Sequence, residues 1–329
     1  MKRIAIVCPG RGSYTEASLG SLDPDDAFVR EAEALRAGFD LEPLLALDGA
    51  ARFEPARHLR PANVSPLIYL VTWLDAQRAA SERGRVVGVL GNSMGWYSAL
   101  AVAGALSFAD GFRLVQEMSL LQEDGEPGGQ VLYPLVDGDW QPDPQAKAQV
   151  ARARTLEGVH ASIHLGGFTV LAGSNAAVST LLRELPKITL GKVTYPFRLA
   201  QHGPYHTPLA SSVAARARQA LGDLTIRRPA SALIDGRGRR HGPQTASVTA
   251  LRDYTLGAQI DTPYDFTSSV RTALRELAPD RLVLPGPGNT LGGICGQVLL
   301  QEGWRGLRTR ADFDRVQASD EPVLDSMRR

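Results

Sequence analysis

VVGVLGNSMGWYSALAV, residues 86–102, joins an apolar run to a helical pattern through a glycine-rich turn. The apolar run predicts a buried strand, and the small and apolar residues after Trp96 predict a helix. Gly91-Asn-Ser-Met-Gly95 fits the G-x-S-x-G pattern, in which a sharp strand-to-helix turn exposes a serine hydroxyl. The stretch therefore predicts an α/β fold and a nucleophilic Ser93. A purely structural turn stays open on this pattern alone, because a glycine-rich chain produces such pentapeptides by chance.

Composition excludes several functional classes. The chain has 329 residues, of which 43% are apolar, and a formal net charge of +1. That charge balance argues against a nucleic-acid-binding protein, and no apolar run approaches the roughly 20 residues of a membrane span. Cys8 and Cys295, the only cysteines, are too few for a disulfide framework or a metal site. We therefore expect a cytoplasmic protein that binds no metal.

The order of the predicted elements indicates one large domain with an insertion. Residues 3–8 and 85–90 read as strands that are each followed by a turn, which is the α/β pattern. After a region rich in Gly, Pro and Asp, a βαββαβ run ends in a strand predicted at 188–197. We predict an α/β-hydrolase-like domain with a parallel sheet over 1–127 and 198–329, and a ferredoxin-like subdomain over 128–197.

Two local predictions concern a helix and the tail. The segment 65–83 reads as a helix with Ser65 as its cap and Pro66 in its first position. The tail after Trp304 is charged, and it is predicted to be irregular.

A serine nucleophile needs a base, and the chain has six histidines. His206 lies in QHGPYHTPLA, just before a predicted helix, so a loop can bring it beside the sharp turn at 91–95, which we call the elbow. His202 is its nearest rival. An α/β-hydrolase esterase would also need an acid between serine and histidine in chain order, for which Asp137 and Asp139 are possible. Both lie in the predicted insertion.

Five segments in order resemble one family, the malonyl-CoA:acyl-carrier-protein transacylases of fatty acid and polyketide synthesis. They match the family patterns F-P-G-Q-G-S-Q, G-H-S-x-G-E-Y-x-A, A-P-F-H-S-P-x-M, Q-x-x-x-P-V-x-W-x-x-S-V and x-G-P-G-x-x-L-x-x-L. In this chain the corresponding segments are VCPGRGSY, GNSMGWYSAL, GPYHTPLA, AQIDTPYDFTSSV and LPGPGNTLGGI.

The resemblance implies an acyltransferase with a serine–histidine mechanism. Ser93 would attack an acyl thioester while His206 takes its proton, and the backbone carbonyl of Gln259 would orient the histidine. The backbone N–H groups of Arg11 and Met94 would form the oxyanion hole. The thiol of a phosphopantetheine arm would then attack the acyl-enzyme, with ping-pong kinetics. No bound cofactor is implied, since the thioesters of CoA or of acyl carrier protein are substrates.

The chain departs from the family pattern at four substrate-side positions. Arg11 replaces a glutamine, Asn92 a histidine and Trp96 a glutamate. Glu117 matches the arginine that clamps malonate in the family, and a carboxylate there would repel malonate. We therefore predict that Asn92, Trp96 and Glu117 contact the substrate, and that the acyl group is not malonyl. A neutral or larger acyl group ranks first, an aminoacyl or peptidyl group second, and malonyl with Arg11 as the clamp third.

Other functions remain open at this stage. Relatives of the family that lack the arginine include hydrolases that clear acyl carrier proteins, and the choice between thiol and water depends on water exclusion. A scaffold that has lost activity is a further alternative, against which the retention of both Ser93 and His206 counts.

An acyl carrier protein is the expected macromolecular partner. Carrier proteins are acidic, so a basic patch should receive one. The candidates from sequence are Arg227-Arg228, the group Arg237, Arg239 and Arg240, and the tail arginines Arg305, Arg308 and Arg310. Each could equally be a solvated surface segment.

Overall fold

The computed structural model describes residues 1–328 and contains two main sheets and a small hairpin. No helix among these residues has the length and apolar character that crossing a bilayer requires. In chain order the strands are β1 (Arg3–Cys8), β2 (Arg85–Gly91), β3 (Gly129–Pro134), β4 (Val159–Leu165), β5 (Phe168–Gly173), β6 (Ile188–Leu190), β7 (Val193–Tyr195), β8 (Phe197–Arg198), β9 (Ala232–Ile234), β10 (Arg240–His241), β11 (Tyr264–Asp265), β12 (Arg281–Leu284) and β13 (Leu324–Ser326).

The larger sheet has the strand order β10-β9-β2-β1-β12-β13. Every pair in it is parallel except β9 and β10. Ile4 through Cys8 of β1 are all buried, as expected for a central parallel strand covered by helices on both faces. The predicted α/β fold with a parallel sheet is confirmed.

Helices cover this sheet and connect its strands. They are α1 (Ala27–Ala37), α2 (Leu44–Asp48), α3 (Pro55–His58), α4 (Pro61–Glu82), α5 (Gly95–Val102), α6 (Phe108–Glu123), α7 (Pro144–Ala153), α8 (Asn175–Glu184), α9 (Ser211–Ala220), α10 (Val248–Asp253), α11 (Gln259–Asp261), α12 (Phe266–Thr272), α13 (Gly292–Gln301) and α14 (Arg310–Gln317). π-Helical turns at Tyr254–Ala258 and Ala273–Leu277 continue α10 and α12.

The smaller sheet has the order β11-β4-β5-β3-β8. Its four strands β3, β4, β5 and β8 pair antiparallel in the order of a ferredoxin-like unit, and β11 adds a parallel strand from the large domain. The single strand predicted at 188–197 is wrong. Gly191, at φ +60°, turns the chain so that β6 and β7 form a separate hairpin, and only β8 joins the sheet. The predicted domain boundaries stay a prediction.

The predicted start of α4 is also wrong, because the helix begins at Pro61 and contains Pro66 in its interior. Pro66 has no N–H to donate to the carbonyl of Ala62, one helical turn earlier. That carbonyl instead accepts hydrogen bonds from the Arg36 guanidinium and from Gln116 Nε2, the latter at 3.2 Å. Tertiary partners thus satisfy the acceptor that the proline leaves free.

The tail after Trp304 is regular where irregular structure was predicted. It forms α14 and then β13, which pairs parallel with β12 at the edge of the larger sheet. Arg328 then bonds the buried carboxylate of Asp75 at 2.8 and 3.1 Å. A three-residue strand followed by one ion pair carries no periodic signal that sequence analysis can detect.

Arg36 is expected to be a large contributor to stability. It is fully buried and donates to neutral acceptors, including Gln116 Oε1 and Asn63 Oδ1, both at 2.6 Å. We predict that Arg36→Met lowers the free energy of unfolding by about 3 kcal/mol, because several buried acceptors lose their donor. The measurement is urea unfolding, with the exposed Arg30→Met on the same helix as control. Equal midpoints for the two variants would contradict the prediction.

Candidate active site

The elbow between β2 and α5 holds Ser93 in a strained conformation. Its φ is +55°, in the left-handed region that a serine rarely adopts. Close backbone packing imposes this geometry, because a methyl group on Gly95 would collide with the carbonyl oxygen of Cys8 and lie 2.8 Å from that of Pro9. The Asn92 N–H also donates to the Cys8 carbonyl at 3.0 Å. The end of β1 and the elbow are therefore pressed directly together.

Ser93 and His206, 113 positions apart in the chain, are in hydrogen-bonding contact. Ser93 Oγ lies 2.7 Å from His206 Nε2, and His206 Nδ1 lies 2.7 Å from the backbone carbonyl oxygen of Gln259. A carbonyl oxygen only accepts, so Nδ1 carries the proton and Nε2 is free to accept the serine proton. The His206 N–H donates to the Ile260 carbonyl at 3.0 Å, which holds the histidine at φ +57°. The arrangement provides a nucleophile, a base and an orienting group.

The side chain of Gln259 also supports the site, although the sequence indicated a role only for its backbone carbonyl. Its Nε2 donates to the Ser93 carbonyl at 3.0 Å, and its Oε1 accepts from the Tyr97 hydroxyl at 2.5 Å. One residue thus braces the strained serine through its side chain and orients the histidine through its backbone. A π-helical turn at Tyr254–Ala258 precedes Gln259 and sets its position. Sequence analysis had no signal for that turn.

Tyr264 is a second contributor that sequence analysis missed. Its hydroxyl donates to the Gly91 carbonyl at 2.6 Å, and its ring centroid lies 5.3 Å from that of His206. The tyrosine therefore supports both the elbow and the imidazole. Its segment was among those that resemble the family pattern, but the pattern assigned it no role.

Of the predicted oxyanion donors, Met94 directly follows Ser93 in the chain, and Arg11 lies in the loop after β1, whose end contacts the elbow. Within residues 1–328, the backbone N–H groups of Arg11 and Met94 donate to no other residue. Free donors at this point suit an oxygen that becomes negatively charged during acyl transfer. Their role stays a prediction.

A cavity of about 430 Å³ opens beside Ser93, between the two sheets. Most of the residues that line it are apolar, among them Leu132, Ile163 and Val170 of the smaller sheet. Arg11 is the one residue among Lys, Arg, Asp and Glu that lines it, and its guanidinium lies 4.4 Å above the ring of Tyr205. A largely apolar chamber with one cation is suited to an acyl group.

Two polar atoms at this cavity have no hydrogen-bond partner within the described residues. They are Nη1 of Arg11 and Oδ1 of Asn92, and both residues line the cavity. Buried polar atoms normally have partners, so this pair suits a ligand with polar groups of its own. The predicted substrate contact for Asn92 is consistent with this position.

Trp96 and Glu117 do not line the cavity. Trp96 is fully buried below the elbow, where its Nε1 donates to Thr255 Oγ1 at 3.0 Å. Glu117 lies near Arg113 on α6, and its charge adds to the increase in the pKa of Arg113 that the hydrogen bond donated by Arg113 to Asp223 mainly causes. The predicted substrate contacts of both residues are therefore not supported by where they lie.

The rival assignments of the base and of the acid also find no support. His202 lies at the cavity, but its Nδ1 donates to the Ala200 carbonyl at 2.7 Å, and Ser93 is paired with His206. Asp137 accepts from the N–H groups of Asp139 and Gln141 in its own loop. The place of a triad carboxylate is taken by the Gln259 carbonyl.

The pKa of His206 sets the acid limit of the reaction. Burial mainly, and the charge of Arg11 to a smaller extent, lower this pKa to about 4, although the hydrogen bond to Gln259 acts in the opposite direction. Because the lowered pKa keeps the imidazole unprotonated, we predict that Ser93 acylation is constant from pH 8 to about 5 and falls to half near pH 4. Rapid-quench acylation with circular dichroism at each pH measures this. A midpoint near 6.5 in folded protein would contradict it.

The chain was compared with known families, curated proteins and solved structures, and no family model matches it. The malonyl CoA-acyl carrier protein transacylase of Haemophilus influenzae is 26% identical over 313 residues, which cover 91% of this chain and 93% of that protein. The structure of a Synechocystis malonyl-CoA:ACP transacylase matches with a TM-score of 0.75 at 18% identity, over 99% of this chain and 97% of that one.

A second solved structure contains a partner. In it, a type II polyketide synthase acyl carrier protein is in complex with its malonyl-transacylase, which matches this chain with a TM-score of 0.74 at 19% identity, over 99% of this chain and 96% of that one. At such identities the structural matches establish a common fold, and the relationship by sequence extends over nearly the whole chain. The chain is thus similar in sequence to malonyl CoA-acyl carrier protein transacylases over nearly its whole length, and it shares the fold of their solved structures.

Proposed function

We propose that the protein is an acyltransferase that moves an acyl group from a CoA thioester to the phosphopantetheine thiol of an acyl carrier protein. The observation that carries the proposal is the chain of contacts from Ser93 Oγ to His206 Nε2 and from His206 Nδ1 to the Gln259 carbonyl. It has the parts of an activated nucleophile, and a thioester is a substrate that such a nucleophile attacks readily. The names of the relatives support both the reaction and the carrier protein.

The proposed reaction consists of two half-reactions. In the first, Ser93 Oγ attacks the thioester carbonyl while His206 Nε2 takes the hydroxyl proton, and the free N–H groups of Arg11 and Met94 bind the oxyanion. The intermediate collapses with loss of the CoA thiolate, which receives the proton from His206. In the second, the carrier thiol gives its proton to His206 and attacks the acyl ester. Collapse then releases Ser93 as the leaving group, and the proton returns to it.

The acyl group is proposed to be larger than malonyl, with an apolar body. The predominantly apolar walls of the cavity support this, since each buried CH₂ group contributes about 0.8 kcal/mol to binding. An aminoacyl or peptidyl group loses its support, because it depended on a carboxylate of Glu117 in the cavity. In this proposal the charge of Arg11 is balanced in part by the ring of Tyr205.

One observation favours a second candidate, an acyl group that carries a carboxylate, such as malonyl. Nη1 of Arg11 is buried beside the nucleophile without a partner, and a carboxylate would supply one. Arg11 would then do what the family's helix arginine does. The two candidates differ in what the Arg11 side chain binds.

Acyl-enzyme formation tests the reaction itself. We predict that intact-mass measurement after mixing with an acyl-CoA detects a stable adduct, and that this adduct is absent in Ser93→Ala. Added holo-acyl carrier protein should remove the adduct and itself gain the acyl mass. Discharge to water at the same rate without the carrier would replace transfer by hydrolysis. An adduct that persists in Ser93→Ala would contradict the proposed nucleophile.

A panel of acyl-CoA substrates tests the acyl group. We predict that wild type loads hexanoyl at least about tenfold faster than malonyl, because the cavity walls are mostly apolar. Glu117→Arg, which adds a cation outside the cavity, should leave this preference unchanged. Preferential loading of malonyl, lost in Arg11→Gln, would instead establish the second candidate.

A further inference from the structure

The hairpin of β6 and β7 and the following strand β8 form a surface that carries cations and no acidic residues. From 185 to 222 the chain contains no Asp or Glu, whereas it carries Lys187, Lys192 and Arg198 within the hairpin and β8. We call these three cations, together with Val193 and Phe197, the hairpin patch. All five side chains are exposed. A strip with cations and no acids favours an acidic partner.

Exposed apolar side chains mark the same strip. Within residues 1–328 the large apolar residues that are exposed are Met1, Val193 (40%) and Phe197 (46%). Two of these three lie in the hairpin patch, close in sequence to all of its cations. Apolar contacts surrounded by charges are the usual composition of a protein–protein interface.

The cations of the hairpin patch are not neutralised within the chain. Among the described residues no carboxylate lies within 4.0 Å of Lys187, Lys192 or Arg198, and Arg198 donates instead to the amide oxygen of Asn175 at 3.0 Å. Among the other basic candidates, Arg239 and Arg308 are also exposed without a carboxylate within 4.0 Å in residues 1–328, whereas four others are compensated. Carboxylates lie 2.9–3.8 Å from Arg237, Arg240, Arg305 and Arg310.

The location of the hairpin patch relative to the nucleophile favours a carrier protein. Phe197 lines the cavity that contains Ser93, and Arg198 lines an adjoining groove that shares Leu199 and Ala200 with that cavity. A protein that delivers a thiol on a tethered arm must dock within the arm's reach of Ser93. Phe197 and Arg198 therefore place one end of the hairpin patch beside the cavity that contains Ser93.

The pair Arg227-Arg228 is exposed but lies elsewhere. The Arg227 N–H donates to the Ala105 carbonyl, just beyond the C-terminal end of α5. Ser93 precedes the N-terminal end of α5, and eight helical residues span about 12 Å. This pair therefore lies behind the elbow, away from the mouth of the cavity.

We propose that the hairpin patch is the docking surface for an acidic acyl carrier protein during the second half-reaction, a proposal that rests on the acyl transfer proposed above. Val193 and Phe197 supply the apolar contact, and the three cations steer and orient the carrier.

Matched charge reversals test the docking surface. One variant is Lys187→Glu/Lys192→Glu, whose residues do not line the cavity; the control is Arg227→Glu/Arg228→Glu, which changes the net charge by the same amount. The probe is a holo-acyl carrier protein of a type II system. We expect the hairpin variant to raise the KM for this carrier about tenfold at low salt, with a smaller effect at high salt. Loading from acyl-CoA and discharge to free pantetheine should stay as in wild type, and the control should match wild type throughout.

A binding measurement separates this proposal from the proposed function. The affinity of the labelled carrier is measured on Ser93→Ala, with and without the hairpin substitutions. If the hairpin substitutions weaken the binding of the carrier, the docking surface is supported. This holds even if wild type forms no acyl-enzyme, because that result contradicts only the proposed function. An equal loss of carrier affinity in both charge variants, or no loss of affinity in the hairpin variant, would overturn the docking surface. Self-association of wild type that the hairpin substitutions abolish would also overturn it, because the occupant would be a second copy.

Discussion

The site depends on the contact between the end of β1 and the elbow after β2. Gly95 and Gly91 have no space for a methyl group, and the Asn92 N–H bonds directly to the Cys8 carbonyl. This contact holds Ser93 at φ +55°, a conformation that costs about 1–3 kcal/mol and persists only where surrounding structure enforces it. It also brings the loop with Arg11 next to the nucleophile, where a free N–H can meet a developing charge. The hydrogen bond from Gln259 to the serine carbonyl opposes relaxation of the strain.

The two sheets contribute different parts of the site. The larger sheet, its helices and their connections carry Ser93, His206 and Gln259, whereas Tyr264, which supports the elbow and the imidazole, lies on β11 at the edge of the smaller sheet. The face of the smaller sheet, through Leu132, Ile163 and Val170, closes the acyl cavity, and its hairpin presents the proposed docking surface. Because the hydrogen bonds among Ser93, His206 and Gln259 do not involve β3, β4, β5 or β8, the surface of these four strands can change in shape and charge without displacing Ser93 from His206. Acyl and partner preference can therefore vary while the chemistry stays the same.

The errors of the sequence analysis have a common physical origin. Helix α4 runs through Pro66 because Arg36 and Gln116 supply donors to the Ala62 carbonyl from other elements. The strand expected at 188–197 is interrupted at Gly191, and β13 is too short for its three residues to show alternation. In each case the local pattern does not decide the element: tertiary partners carry α4 through a proline, a glycine turn divides the predicted strand, and β13 forms by pairing with β12. Glu117 was assigned from sequence spacing along α6, and spacing alone does not decide which side of a helix meets the cavity.

The sequence by itself determined the α/β class, the elbow and the identity of the serine and histidine, because these depend on local patterns of glycine, apolar and helical residues. The family resemblance had implied the Gln259 carbonyl as the partner of His206, whereas tertiary structure alone decided that the Gln259 side chain braces the serine and that Arg11 is the cation of the cavity. It also decided which basic residues remain uncompensated. These features depend on distances between segments up to 166 positions apart, which only the packed chain sets.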